Sequence, residues 1–238
     1  MNLVTLQTKP TKNFQDNLDY LEKLILQTPI ESFILASELC LTLYAYERLE
    51  EASKLTIEAI KRLTILSKNR TIALTMTTKE EGKYFNTFYI FHKEKIVHKQ
   101  SKIKLFTLND ENKYFTEGEE KNIKLFEIDG LKIGVLICFE LRFIDYWQKL
   151  KGADIILIPA MWGAKRKDNY ETLTRALAVA NQCFVIASDS ADESCAKSSA
   201  IITPFGEITL DDEKEIISKI VDLKEIKLMR KYLDVGIK

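Results

Sequence analysis

Residues 131–162, LKIGVLICFELRFIDYWQKLKGADIILIPAMW, constrain the fold more than any other stretch of the chain. Lys132 to Ile137 is a near-continuous apolar run, the pattern of a strand covered on both faces of its sheet. The run ends at Cys138, and Phe139-Glu140-Leu141-Arg142-Phe143 abandon it. From Arg142 to Leu150 the apolar residues Phe143, Ile144, Trp147 and Leu150 recur at helical spacing, and Ala153 to Pro159 reads as a second buried strand. Strand, cysteine-bearing turn, helix and strand together predict an α/β fold. The Cys138 thiol would then sit at a strand end, where open α/β sheets gather their ligands. A helix starting just beyond the turn offers free N–H groups and a partial positive charge, which favour thiolate. A lone cysteine at such a place is nevertheless more often an inert buried residue.

The remaining segments extend the α/β pattern. Asn2 to Gln7 reads as a short edge or opening strand, Leu18, Leu21 and Ile25 as one face of a helix, and Ser32 to Ala36 as a buried strand ending at Ser37-Glu38. Ala52, Leu55, Ala59, Leu63 and Leu66 form a second helical stripe, followed by a strand at Thr71 to Thr75. Tyr84 to Phe91 and Lys95 to Lys99 predict a hairpin turning at His92-Lys93-Glu94. Ile123 to Ile128 and Leu131 to Ile137 predict another, across Asp129-Gly130. Tyr170 to Asn181 reads as a helix and Cys183 to Ser188 as a buried strand. A hairpin follows at Pro204-Phe205-Gly206, between Ser199 to Thr203 and Glu207 to Leu210. Ile216 to Leu223 is a last strand and Lys224 to Tyr232 a closing helix. Such alternation predicts one α/β domain over residues 1–238, with mixed sheets covered by helices.

Composition narrows the partners. Lys plus Arg and Asp plus Glu number 35 each, so no net charge draws nucleic acid or an anionic membrane. No apolar stretch nears the roughly 20 residues of a membrane helix, and no signal peptide is legible. Cys40, Cys138, Cys183 and Cys195 show neither CxxC spacing nor disulfide density, which points to the cytoplasm. With no H-E-x-x-H motif and no Cys/His cluster, neither a metal nor another cofactor is expected.

G-V-L-I-C-F-E-L-R-F followed by G-A-D-I-I-L-I-P-A-M-W resembles the nucleophile region of the nitrilase superfamily of carbon–nitrogen hydrolases. The resemblance runs through almost the whole chain. ILASEL is similar to the family strand ending in Pro-Glu or Ser-Glu, and K-Y-F-N-T-F-Y to its Y-N-T/S segment. T-R-A-L-A-V-A-N-Q-C-F-V resembles its arginine–alanine helix and S-S-A-I-I-T-P-F-G-E-I its late hairpin. Departures are Phe139-Glu140 for Tyr-Asp, Ile144 for a usual Pro, Ala178 where Glu is frequent, and a short chain. The implied fold is an α-β-β-α four-layer sandwich with two mixed sheets, paired into homodimers or higher homo-oligomers.

The resemblance also implies a Glu-Lys-Cys triad of Glu38, Lys102 and Cys138. Amide hydrolysis by a thiol needs a base, an oxyanion donor and a proton for the leaving amine. His92 and His98 are the only histidines, both in the predicted hairpin, so a Cys–His pair is disfavoured. Glu38 ends a buried strand and suits the base. QSKIKLF looks like the family's lysine segment and points to Lys102 rather than Lys99 or Lys104, although a solvated strand face is the ordinary reading of a lysine there. N-D-E-N-K-Y-F-T-E-G resembles the segment of a second active-site glutamate, Glu111, with Asp110 as the one-residue alternative.

Phe139 would lend its backbone N–H to the oxyanion, and Phe139, Arg142 and Trp162 are expected to bind substrate. Arg142 would grip a substrate carboxylate, or instead pair with Glu140, Asp145 or a backbone carbonyl and shape the turn. C-F-E-L-R-F looks closest to the segment of omega-amidases. The expected activity is hydrolysis of a small non-peptide amide, with N-carbamoyl hydrolysis on the same scaffold or a silent binding relative as alternatives.

Overall fold

Alternation with period two decides how the N-terminal strands are shared between two cores. The computed structural model describes residues 1–237. In β1 (Asn2–Leu6) and β2 (Ser32–Ala36), Leu3, Phe33 and Leu35 enter one buried cluster, while Val4, Leu6, Ile34 and Ala36 enter another. The second cluster is closed by the apolar stripes of α1 (Phe14–Gln27) and α2 (Leu49–Leu66), through Leu18, Leu21, Ile25, Ala59 and Leu63. Asn13 starts α1 by accepting from the amides of Gln15 and Asp16. β3 (Thr71–Glu80), β4 (Lys83–His92) and β5 (Lys95–Ser101) then form an antiparallel meander.

The second half holds the short α3 (Glu111–Tyr114), β6 (Phe126–Ile128), β7 (Leu131–Val135), α4 (Ile144–Lys149), β8 (Ile155–Pro159) and α5 (Lys167–Asn181). β9 (Phe184–Ser188), β10 (Ala200–Ile202), β11 (Ile208–Leu210), β12 (Ile216–Ile220) and α6 (Lys224–Tyr232) complete it. One mixed sheet runs β12-β1-β2-β3-β4-β5 and the other β11-β10-β9-β8-β7-β6. They face each other over Leu3, Phe33, Leu35, Phe88 and Ile90 on one side and the β7, β8 and β9 side chains on the other. Trp147, Tyr170 and Leu177 cover the second sheet from α4 and α5. The result is an α-β-β-α sandwich, as expected.

Local differences have local causes. β1 is not an edge strand, because β12 returns antiparallel outside it and β2 runs parallel inside it. β3 continues five residues past Thr75 and pairs with β4 across Glu81-Gly82, both at positive φ as a type I′ turn requires. Its polar second half, TTKE, carries no apolar signal. The predicted turns at Lys93-Glu94 and Asp129-Gly130 are present, again with positive φ. Only Phe126–Ile128 of the expected 123–128 strand pairs with β7. The helix expected from Arg142 begins at Ile144, because Cys138–Arg142 forms a separate 3-10 turn.

Candidate active site

Parallel strands align their C-terminal ends, and the chemistry-bearing residues lie just past those ends. Glu38 follows β2, Cys138 follows β7, Met161 and Trp162 follow β8, and Asp189 follows β9. Lys102 follows β5 and is tied in by its amide to the Asn86 carbonyl at 2.8 Å. Cys138 has φ +50°, Leu39 beside Glu38 has +47°, and Asp110 beside Glu111 has +55°. None is glycine, so each of these tight turns carries strain of about 1–2 kcal/mol. The chain is bent sharply where it presents each of these side chains.

Lys102 is the hub. Its side chain is fully buried, and Nζ donates to Glu38 Oε1 at 2.8 Å, Glu111 Oε2 at 2.9 Å and the Tyr44 hydroxyl at 3.0 Å. All three ammonium protons are thereby engaged. Glu38, also fully buried, accepts Asn86 Nδ2 at 2.8 Å and the Met161 amide at 3.1 Å. Glu111 accepts the Phe106 amide at 2.7 Å and the Tyr44 hydroxyl at 3.3 Å. Two carboxylates thus share one ammonium, in a setting dry enough that each charge depends on the others.

Burial pushes the Cys138 thiol well above its ordinary pKa, and the Glu38 carboxylate raises it further. The Lys102 ammonium and the Met161 amide oppose them. The thiolate expected from a following helix is therefore not favoured at rest. The residues after Cys138 form a 3-10 turn, and α4 is six residues long and starts six positions on. Desolvation also lowers the affinity of Lys102 for its proton, but Glu38, Cys138 and Glu111 outweigh it and hold Lys102 above the ordinary lysine value. Glu111 is raised by burial and by Glu38, against the pull of Lys102. At rest the site therefore holds a neutral thiol beside a paired carboxylate and a locked ammonium.

A family model described as carbon-nitrogen hydrolase matches residues 4–231. The chain belongs to the carbon-nitrogen hydrolase family. Among relatives of this hydrolase, a 2-oxoglutaramate amidase of Bacillus subtilis is 34% identical over 173 residues, covering 69% of this chain and 66% of that protein. An omega-amidase NIT2 of Xenopus tropicalis is 29% identical over 205 residues, covering 78% and 74%. The crystal structure of Saccharomyces cerevisiae Nit3, a member of branch 10 of the nitrilase superfamily, has the same fold. Its TM-score is 0.85 at 21% identity, over 99% of this chain and 95% of that one.

In this hydrolase the predicted residues fall into two groups. Glu38, Lys102, Glu111 and Cys138 come together. Cys138, Lys102 and Glu111 line a cavity of about 520 Å³ with Tyr44, Phe106 and Arg166. Asp110 instead faces solvent and pairs with Lys113 at 3.0 Å. Phe139, Arg142 and Trp162 line a narrow recess beside Cys138. Arg142 pairs with neither Glu140 nor Asp145. Its guanidinium donates to Asn169 Oδ1 at 3.0 Å and lies 4.9 Å from the Trp162 ring centroid.

Three residues escaped the sequence reading. Tyr44 sits in an irregular loop with no periodic signal. Asn86 lay inside the recognised K-Y-F-N-T-F-Y segment but had no assigned task. Glu140, read only as a departure from Asp, is fully buried. It accepts the Ile103 amide at 2.6 Å and the Ile137 amide at 2.7 Å, so it ties the residue after Lys102 to the residue before Cys138. Burial pushes its carboxyl up to about 7, against the two amides that favour the charged form. Among the described residues no cluster of three or more His, Cys, Asp or Glu could hold a metal ion, and no helix is long and apolar enough to cross a membrane.

Proposed function

We propose that this chain hydrolyses a small omega-amide to a carboxylic acid and ammonia through a thioester on Cys138. The observation that carries the reading is the Lys102 ammonium, fully engaged by Glu38, Glu111 and Tyr44 on the wall of a cavity that Cys138 also lines. Cys138 Sγ attacks the amide carbon while Glu38 takes the thiol proton. The Lys102 ammonium, giving up its bond to the Tyr44 hydroxyl, and the Phe139 amide hold the oxyanion. The C–N bond then breaks, Glu38 gives its proton to the leaving nitrogen, and ammonia departs. Water attacks the thioester as Glu38 takes its proton, and the carboxylic acid leaves as the thiol is restored.

Glu111 holds Lys102 in place in this scheme, and Phe139, Arg142 and Trp162 form the wall against which the substrate lies. The relatives' names, 2-oxoglutaramate amidase and omega-amidase, support the amide class. Cytoplasmic location and pairing into homodimers or larger assemblies belong to the same reading, and light scattering on the purified protein measures the latter. Ammonia release is to be measured on short omega-amides, neutral amides and carbamoyl amines, with hydroxylamine added to trap an acyl-enzyme as hydroxamate. Omega-amides should give both products. Absence of ammonia and hydroxamate across the panel refutes the hydrolase reading, and release from carbamoyl amines alone refutes the amide class.

A further inference from the structure

The cavity wall carries four ionisable side chains besides its thiols and Tyr44, and three of them have partners. Lys102 and Glu111 hold each other. Asp192 closes its own turn, accepting the amide and hydroxyl of Ser194 at 2.9 and 2.6 Å. The fourth, Arg166, is half-buried, and among the described residues its guanidinium has neither an acidic partner nor a hydrogen-bond acceptor. It lies 5.2 Å from the Phe106 ring centroid.

Gly163 makes room for it. That glycine has φ −65° and ψ 138°, a conformation open to any residue, so the backbone does not call for glycine there. A Cβ on Gly163 would stand 2.9 Å from Arg166 Nη2. The space left free is the space the guanidinium uses. Arg166 also borders the recess beside Cys138, which Phe139, Arg142 and Trp162 line as well. The recess measures about 30 Å³, roughly twice the ~15 Å³ that one water needs, which suits the two oxygens of a carboxylate.

We propose that Arg166 is a specificity-determining residue that anchors the carboxylate at the far end of the substrate, with its amide at Cys138. The inference rests on the amide-hydrolysis reading above, whose omega-amides are monoamides of dicarboxylic acids, and adds to it the residue that holds their carboxylate. A guanidinium presents parallel N–H donors that match a carboxylate in two bonds. Arg142 lines the same recess with one donor on Asn169 and its guanidinium near the Trp162 ring, whereas among the described residues the Arg166 guanidinium has no acceptor at all.

Two measurements separate this anchor from the chemistry. The first is kcat and KM for glutaric monoamide and for uncharged pentanamide, in the wild type, Arg166→Gln and Arg166→Lys. Arg166→Gln should raise KM for the acidic amide by about 10- to 100-fold, the scale of a lost hydrogen bond to a charged group. The ratio of kcat/KM between acidic and neutral amide should collapse with it, and Arg166→Lys should recover part of that ratio. The second is calorimetric binding of glutarate, which needs no turnover: the wild type should bind it, and Arg166→Gln should bind at least about 10-fold more weakly. Equal losses on both amides, or glutarate affinity indifferent to Arg166, overturn the anchor. Arg166-dependent glutarate binding without ammonia release from any amide leaves the anchor standing and sinks the hydrolase reading instead.

Discussion

Replacing Glu140 with Gln tests whether one buried carboxylate holds the two halves of the site in register. The change keeps size and shape but trades one oxygen for an NH2 group. In the native turn both carboxylate oxygens accept an amide, from Ile103 at 2.6 Å and from Ile137 at 2.7 Å. A glutamine satisfies one amide and sets its own N–H against the other, leaving a buried donor unpaired at a cost of about 1–3 kcal/mol. A pH-dependent part is superimposed. Burial lifts the Glu140 carboxyl from 4.5 to about 7, a shift of about 2.5 units or ~3 kcal/mol.

Because the folded value lies above the unfolded one, the native state holds the extra proton between these pH values, and Glu140 contributes less stability as pH rises through the window. Glutamine does not titrate. The stability deficit of Glu140→Gln should therefore be largest near pH 4.5 and shrink by about 3 kcal/mol by pH 8, measured by urea unfolding at several pH values. Ile103 follows Lys102 and Ile137 precedes Cys138, so a small slip between them should also cost kcat at least about tenfold, since misplacement by 1 Å can cost about 100-fold. A deficit that is flat with pH refutes the raised Glu140 carboxyl. Full kcat in the variant refutes its positioning role.

Cys138→Ala should abolish ammonia release while shifting the urea midpoint little, because the small side chain lines a cavity and leaves no large void; turnover equal to wild type removes it as nucleophile. Iodoacetamide should label Cys138 before Cys183, since Cys183 is fully buried and its thiol is pushed up by burial, whereas Cys138 lines the cavity, and peptide mapping reads the order. Lys102→Ala leaves Glu38 and Glu111 without their shared cation and should lose about 3–5 kcal/mol of stability and at least about 100-fold in rate. Lys102→Arg should not restore the rate, because a planar fork does not fit three donors converging on two carboxylates and a phenol; recovery by arginine would contradict that geometry.

By itself the sequence determined the α/β class and the turns, and its resemblance to a family implied the four layers. Buried apolar runs such as Ser32 to Ala36, helical stripes such as Ala52 to Leu66, and the Asp129-Gly130 and Pro204-Phe205-Gly206 signals are local, and local sterics and apolar spacing suffice to read them. The resemblance of the Cys138 segment further singled out Glu38, Lys102 and Glu111, which the fold draws together. Tertiary structure decided what each of those side chains is. Lys102 lies in a segment whose alternation suits a solvated face, yet it is fully buried because Glu38, 64 residues away in the chain, arrives opposite it. The same holds for the choice of Glu111 over Asp110, for Arg142 turning to Asn169, for the clamp at Glu140 and for the raised Cys138 thiol. A side chain's charge state and partner depend on the dielectric around it and on the groups that distant strands bring within 3 Å, and neither is encoded in the residues next to it.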